Sequence, residues 1–120
     1  MSLMPTFAAA FPVMEGKEAV LHQWCKELRG KRLAQARDSL VRHDVERESW
    51  FLQKTLAGNL WIVIIETPDI ERYFRGMVSS QDPFDAWIRN QIKDISGFDL
   101  TQPGPPPPEE ILHFDRGNSK

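Results

Sequence analysis

A chain of 120 residues and 13.9 kDa, 41% hydrophobic and 27% charged, has the size and composition of one folded domain. This excludes wholesale disorder, collagen-like repeats and a disulfide scaffold, and the single cysteine, Cys25, rules out an intrachain disulfide. Fifteen Lys and Arg against 17 Asp and Glu leave a net charge of −2, too near neutrality to drive binding to nucleic acid or acidic membranes across the whole surface. A local basic patch, Lys26, Arg29, Lys31, Arg32 and Arg37 against Glu27, contains no aromatic residue to stack on a base and reads as a solvated helix face.

Pro5 to Val13 reads as a first strand with Phe7, Ala9, Phe11 and Val13 on one face; Pro12 donates no ladder hydrogen bond, which predicts a strand end or an edge position. This apolar segment lacks a preceding Lys or Arg and is interrupted by Pro5 and Pro12, so it is not read as a secretory signal, and the chain is expected to be cytoplasmic. Val20, Leu21, Trp24, Cys25 and Leu28 form a helical stripe. Leu33, Ala36 and Leu40 continue it displaced by about one position, so Gly30 is a kink or a break, and helical character fades near His43-Asp44.

Val45 to Thr55 changes to the period of a strand, Ala57-Gly58-Asn59 signals a turn, and Leu60 to Glu66 is apolar on both faces, the pattern of a central strand. Pro68-Asp69 then opens a helix with Ile70, Tyr73, Phe74, Met77 and Val78 on its buried stripe. Asp82 is an N-cap and Pro83 a first helical residue for a second helix with Phe84, Trp87, Ile88, Gln91, Ile92 and Ile95 on one face, ending at Gly97. Pro103 to Pro108 is a stiff connector, Ile111 to Phe114 is read as a short last strand, and residues 116–120 as a disordered tail after a single domain over 5–115.

Strand, helix, hairpin, helical pair and final strand give βαββαβ, a ferredoxin-like α+β sandwich with an antiparallel sheet. Helices cover one face of such a sheet, yet the strand from Leu60 to Glu66 is apolar on both. A second copy packed by a two-fold axis covers the other face, so a homodimer is expected.

Trp50-Phe51-Leu52-Gln53, Ser80-Gln81-Asp82-Pro83-Phe84-Asp85-Ala86-Trp87 and the opening Phe11-Pro12-Val13 with Gly16-Lys17, taken with the order of elements, resemble an uncharacterised bacterial family of the dimeric α/β-barrel superfamily. The similarity runs from about Phe7 to Phe114. The resemblance implies a two-fold barrel dimer, and relatives elsewhere in that superfamily include cofactor-free monooxygenases, lactone isomerases and haem-handling proteins. It carries over no catalytic residue.

Alternation in the strand after Val45 places Glu48 and Trp50 on one face and Arg47, Ser49 and Phe51 on the other, without saying which faces the helices. A carboxylate or guanidinium projecting into a partly apolar cavity beside a tryptophan suits an acid, a base or an anchor for a small aromatic ligand; the plainer reading is a structural Glu–Arg ion pair. Trp24, Trp50 and Trp87 are expected to share a cluster with any pocket beside it. His43, at a helix end, suits a macrodipole cap or a polar pocket residue.

Cys25 reads as a small buried hydrophobe. His22, His43 and His113 show no metal spacing, and His113 alone is weak ground for haem, so no metal and no cofactor is assigned. Asp82-Pro83-Phe84-Asp85 is accounted for by helix-start physics. The expectation is a homodimer binding a small, partly aromatic molecule between sheet and helices, with no nucleic acid and no membrane as partner. The alternatives are a cofactor-free monooxygenase or isomerase using Glu48, Arg47 or His43, and a non-catalytic interaction dimer.

Overall fold

The computed structural model describes residues 5–117, in the order β1 (Thr6–Val13), α1 (Glu18–Arg29), α2 (Leu33–Arg42), β2 (Arg47–Gln53), β3 (Asn59–Glu66), α3 (Ile70–Ser79) and α4 (Pro83–Ser96). The three strands form one antiparallel sheet in the order β1-β3-β2. β3, apolar on both faces, is central as its pattern predicts, and β1 takes an edge, where Pro12 costs no ladder bond.

Register decides the faces. Phe7 lies opposite Ile65 and Ala9 opposite Val63 in β1–β3, while Glu48 lies opposite Ile65, Trp50 opposite Val63 and Leu52 opposite Trp61 in β2–β3. Directly opposed residues share a face, and this one packs against Leu21 and Trp24 of α1 and Ile92 and Ile95 of α4 in a single core. The other face carries Ala8, Ala10, Pro12, Phe51, Ile62, Ile64 and Leu60. No helix covers it; Phe51 is 55% exposed and Leu60 36%.

The helix boundaries have local causes. Gly30 is a break rather than a kink: α1 ends at Arg29 and α2 begins at Leu33. Asp44, at φ 56, turns the chain out of α2 in the left-handed region, and Thr67 Oγ1 donates to its carbonyl at 2.8 Å. Asp69 caps α3 by accepting from Arg72 N. Asp82 caps α4 by accepting from Phe84 N at 2.8 Å, Pro83 follows at the first position, and Gly97, at φ 82, closes it.

One expected element is missing. Ile111 to Phe114 forms no strand; Ile111, Leu112 and Phe114 are 87%, 68% and 83% exposed. A four-residue apolar run becomes a strand only where a neighbour accepts its backbone hydrogen bonds, and among the described residues none pairs with this one in the sheet. The described fold is therefore α+β with three strands and four helices, and of the expected 116–120 tail, 118–120 lies outside the described residues.

Candidate functional site

Between the helical layer and the inner sheet face lies a partly open cavity of about 430 Å³. Its walls come from all layers: Phe7 and Ala9 of β1, Trp24, Cys25 and Leu28 of α1, Leu40 of α2, Glu48 and Trp50 of β2, Trp61, Val63 and Ile65 of β3, Tyr73 and Met77 of α3 and Phe84 of α4. The lining is overwhelmingly apolar, and the volume lies within the range of small-molecule sites.

Glu48 is the exception in that wall. It stands on the inner face of the edge strand, and Trp50, two residues on and on the same face, donates its indole N–H to Glu48 Oε2 at 2.7 Å. No cation pairs with Glu48 within salt-bridge distance among the described residues. Burial pushes its carboxyl above the ordinary range and the Trp50 bond opposes this only in part. By accessible surface Glu48 is an exposed residue of the edge strand, lining the open side of a hollow whose other walls are largely apolar.

Tyr73 faces the same cavity from α3. Burial, then the charges of Glu48 and Asp85, hold its hydroxyl strongly toward the protonated form. Cys25 is half-buried in the wall, its thiol pushed up by burial with Arg29 pulling the other way, which favours an inert thiol over a nucleophile.

Beside the cavity sits a second polar group. Asp85, in the first turn of α4 and fully buried, accepts from Ser39 Oγ at 3.0 Å, Arg42 Nη2 at 2.9 Å and Ser80 Oγ at 2.6 Å, and pairs with His43 Nε2 at 2.8 Å. Burial alone would raise its pKa; hydrogen bonds from Ser80, His43, Arg42 and Ser39 outweigh it and hold the carboxyl below the ordinary range. This carboxylate joins α2, the α3–α4 connection and α4. His43 is the C-cap residue of α2, its backbone N–H donating to Ser39 O, and its ring turns inward onto Asp85; the ring lines the cavity and is centred 6.3 Å from that of Tyr73. Gly76 makes room for it: a Cβ there would lie 2.9 Å from His43 Nδ1.

Of the residues singled out from sequence, Glu48, Trp50, Trp24 and His43 meet at the cavity. Arg47 is on the open sheet face, 3.6 Å from Glu66, and Trp87 lies behind Trp24, its ring 3.8 Å beneath the Arg32 guanidinium. The expected cluster of Trp24, Trp50 and Trp87 forms and Trp61 joins it, with Trp24 centred 4.9 Å from Trp50, 5.3 Å from Trp61 and 6.0 Å from Trp87. The indole N–H groups of Trp24 and Trp61 are buried without a hydrogen-bond partner, an unmet cost located in the cavity wall.

Tyr73 and Asp85 were not singled out as site residues; Tyr73 read as core, and Asp85 as a first-turn charge. The basic stretch of α1–α2 is partly spent internally, since Lys31 and Arg32 both approach Glu27, at 3.7 and 3.6 Å. Among the described residues no group of His, Cys, Asp and Glu is placed to hold a metal ion, and no helix is long and apolar enough to cross a membrane. Comparisons with protein-family models, curated proteins and solved structures return no match, so the site is read from its geometry alone.

Proposed function

We propose that this chain is a homodimeric α+β domain that holds a small, partly aromatic molecule in the cavity between its sheet and helices, with Glu48 as the polar anchor. The observation that carries the reading is the cavity itself: about 430 Å³, ring-lined, with one carboxyl that no cation among the described residues pairs. A well-packed interior leaves few voids larger than a water molecule, so a hollow of this size with a polar group placed in it is the ordinary anatomy of a ligand site. The dimer is supported by the uncovered apolar face around Phe51, Leu60, Ile62 and Ile64. At roughly 25 cal/mol per Å², leaving that face in water forgoes several kcal/mol. We read the strand order, with helices on one side, as a ferredoxin-like core whose open faces pair about a two-fold axis.

The test is light scattering of the purified protein, followed by tryptophan fluorescence and thermal melting against aromatic amines, aromatic acids, quinones, lactones and haem. A saturable change in fluorescence with a rise in Tm is the expected result. Silence across that library in a folded dimer overturns the ligand reading in favour of an interaction dimer; a monomer overturns the architecture.

A second reading, a cofactor-free monooxygenase or isomerase, is favoured by one observation. A carboxyl raised by burial beside a neutral tyrosine hydroxyl suits proton transfer to or from a bound molecule. Turnover of a quinone or lactone that Glu48→Gln abolishes, with binding retained, is its signature.

A further inference from the structure

The reading of the cavity as a ligand site leaves the chemistry of the ligand open, and the arrangement of charge around the cavity narrows it. Glu48 Oε2 accepts from Trp50, and Oε1 has no donor among the described residues. Asp85, the other carboxylate nearby, is saturated by four partners and has no acceptor capacity to offer a ligand. The guanidinium on the cavity wall, Arg29, makes no ion pair with Glu48 among the described residues. Glu48 is the acidic residue in the cavity wall, and Asp85, beside the cavity, is balanced by Arg42 at 2.9 Å.

Glu48 offers a ligand an acceptor that no cation among the described residues pairs, and ring faces attract cations and repel anions. A ligand with a carboxylate would meet Glu48 charge against charge, and a neutral alcohol would supply a donor and no charge. A protonated amine supplies both the missing donor and the missing charge, and its body occupies the apolar wall. An apolar cavity of about 150 Å³ already accepts benzene, so this one has room for a ring and a short chain.

We infer that the cavity takes a monocationic amine carried on an aromatic or apolar body, with Glu48 Oε1 as the acceptor and counter-ion for the ammonium and the surrounding rings as its walls. This rests on the cavity being a ligand site. The ligand class is aralkyl or alkyl monoamines, with secondary, tertiary or quaternary heads distinguished by whether an N–H is required.

The experiment compares three probes of one shape, 3-phenylpropylamine, 3-phenylpropanol and 3-phenylpropionate, on the full chain by tryptophan fluorescence and thermal shift at neutral pH. The expected order is amine over alcohol over carboxylate, with the amine at least about tenfold tighter than the alcohol, the increment of one charge-assisted hydrogen bond. In Glu48→Gln, which keeps an oxygen to accept from Trp50, the preference of the amine over the alcohol should be lost.

Equal binding of amine and alcohol, or preference for the carboxylate, overturns the ammonium inference and leaves the cavity reading standing. No binding by any of the three, in protein that melts cooperatively, counts against both. The probe series on the unaltered chain decides the matter even if the variant fails to fold.

Discussion

Replacing Asp85 by Asn tests whether the buried carboxylate holds the helical layer together. The amide keeps the shape of the side chain, but it removes the charge facing Arg42 and turns an NH2 toward either Ser39 and Arg42 or His43 and Ser80. Breaking a buried charge pair from one side costs about 3–5 kcal/mol. Arg42 is 31% exposed, so water relieves part of its loss and the lower end applies, roughly 3 kcal/mol. For a chain of this size that lowers Tm by roughly 10 °C. Urea denaturation of both proteins measures it, with an unchanged dependence on urea concentration as the check that the unfolded states match. The pH dependence has a fixed sign. Because the folded carboxyl titrates below its ordinary value of 3.8, its stabilisation is complete above that value and is lost as pH falls through the lower folded one. The gap between wild type and Asp85→Asn should therefore be full at pH 7 and shrink in strong acid. A loss under about 1 kcal/mol at pH 7, or a gap that persists unchanged in acid, refutes the assignment.

Gly76→Ala should destabilise, although alanine normally favours a helix over glycine by about 1 kcal/mol, because its Cβ would press on His43 Nδ1 at 2.9 Å. Adding His43→Ala should turn the same substitution favourable, and a double-mutant cycle by urea denaturation reads the sign change. Glu48→Gln should raise Tm relative to wild type at pH 8 and leave it nearly unchanged at pH 4. A carboxyl held above its ordinary value of 4.5 stabilises the folded chain less as pH rises past that value, and the amide escapes this. Phe51→Glu combined with Ile62→Glu places two charges opposite each other on the open sheet face, and light scattering should report a monomer with the fold retained by circular dichroism.

The parts of the fold legible in the sequence are those set by local pattern. β3 declared itself central by being apolar on both faces, and α4 announced its start through Asp82-Pro83, which the cap geometry bears out. Alternation paired Glu48 with Trp50 but left open which side of the sheet they occupy; that depends on register against β3 and on where the helices pack. Asp85 was legible only as a first-turn charge, because three of its partners, Ser39, Arg42 and His43, lie 46, 43 and 42 residues away. His43, read as a helix cap or a pocket residue, is both the C-cap of α2 and part of the cavity wall, and only its pairing with Asp85 depended on a distant neighbour. Ile111 to Phe114 failed in the opposite direction: its composition suits a strand, but composition supplies no partner edge.

The central claim is that the hollow beneath the helices receives a small molecule. Its most direct measurement is the titration of the four indole N–H signals in a proton–nitrogen correlation spectrum with 3-phenylpropylamine. Trp24, Trp50 and Trp61 line the cavity, whereas Trp87 lies behind Trp24 under Arg32. The account predicts saturable shifts of the three lining indoles, largest for Trp50, whose N–H is bonded to Glu48, and a small shift for Trp87. Four static signals, or a response confined to Trp87, would contradict it.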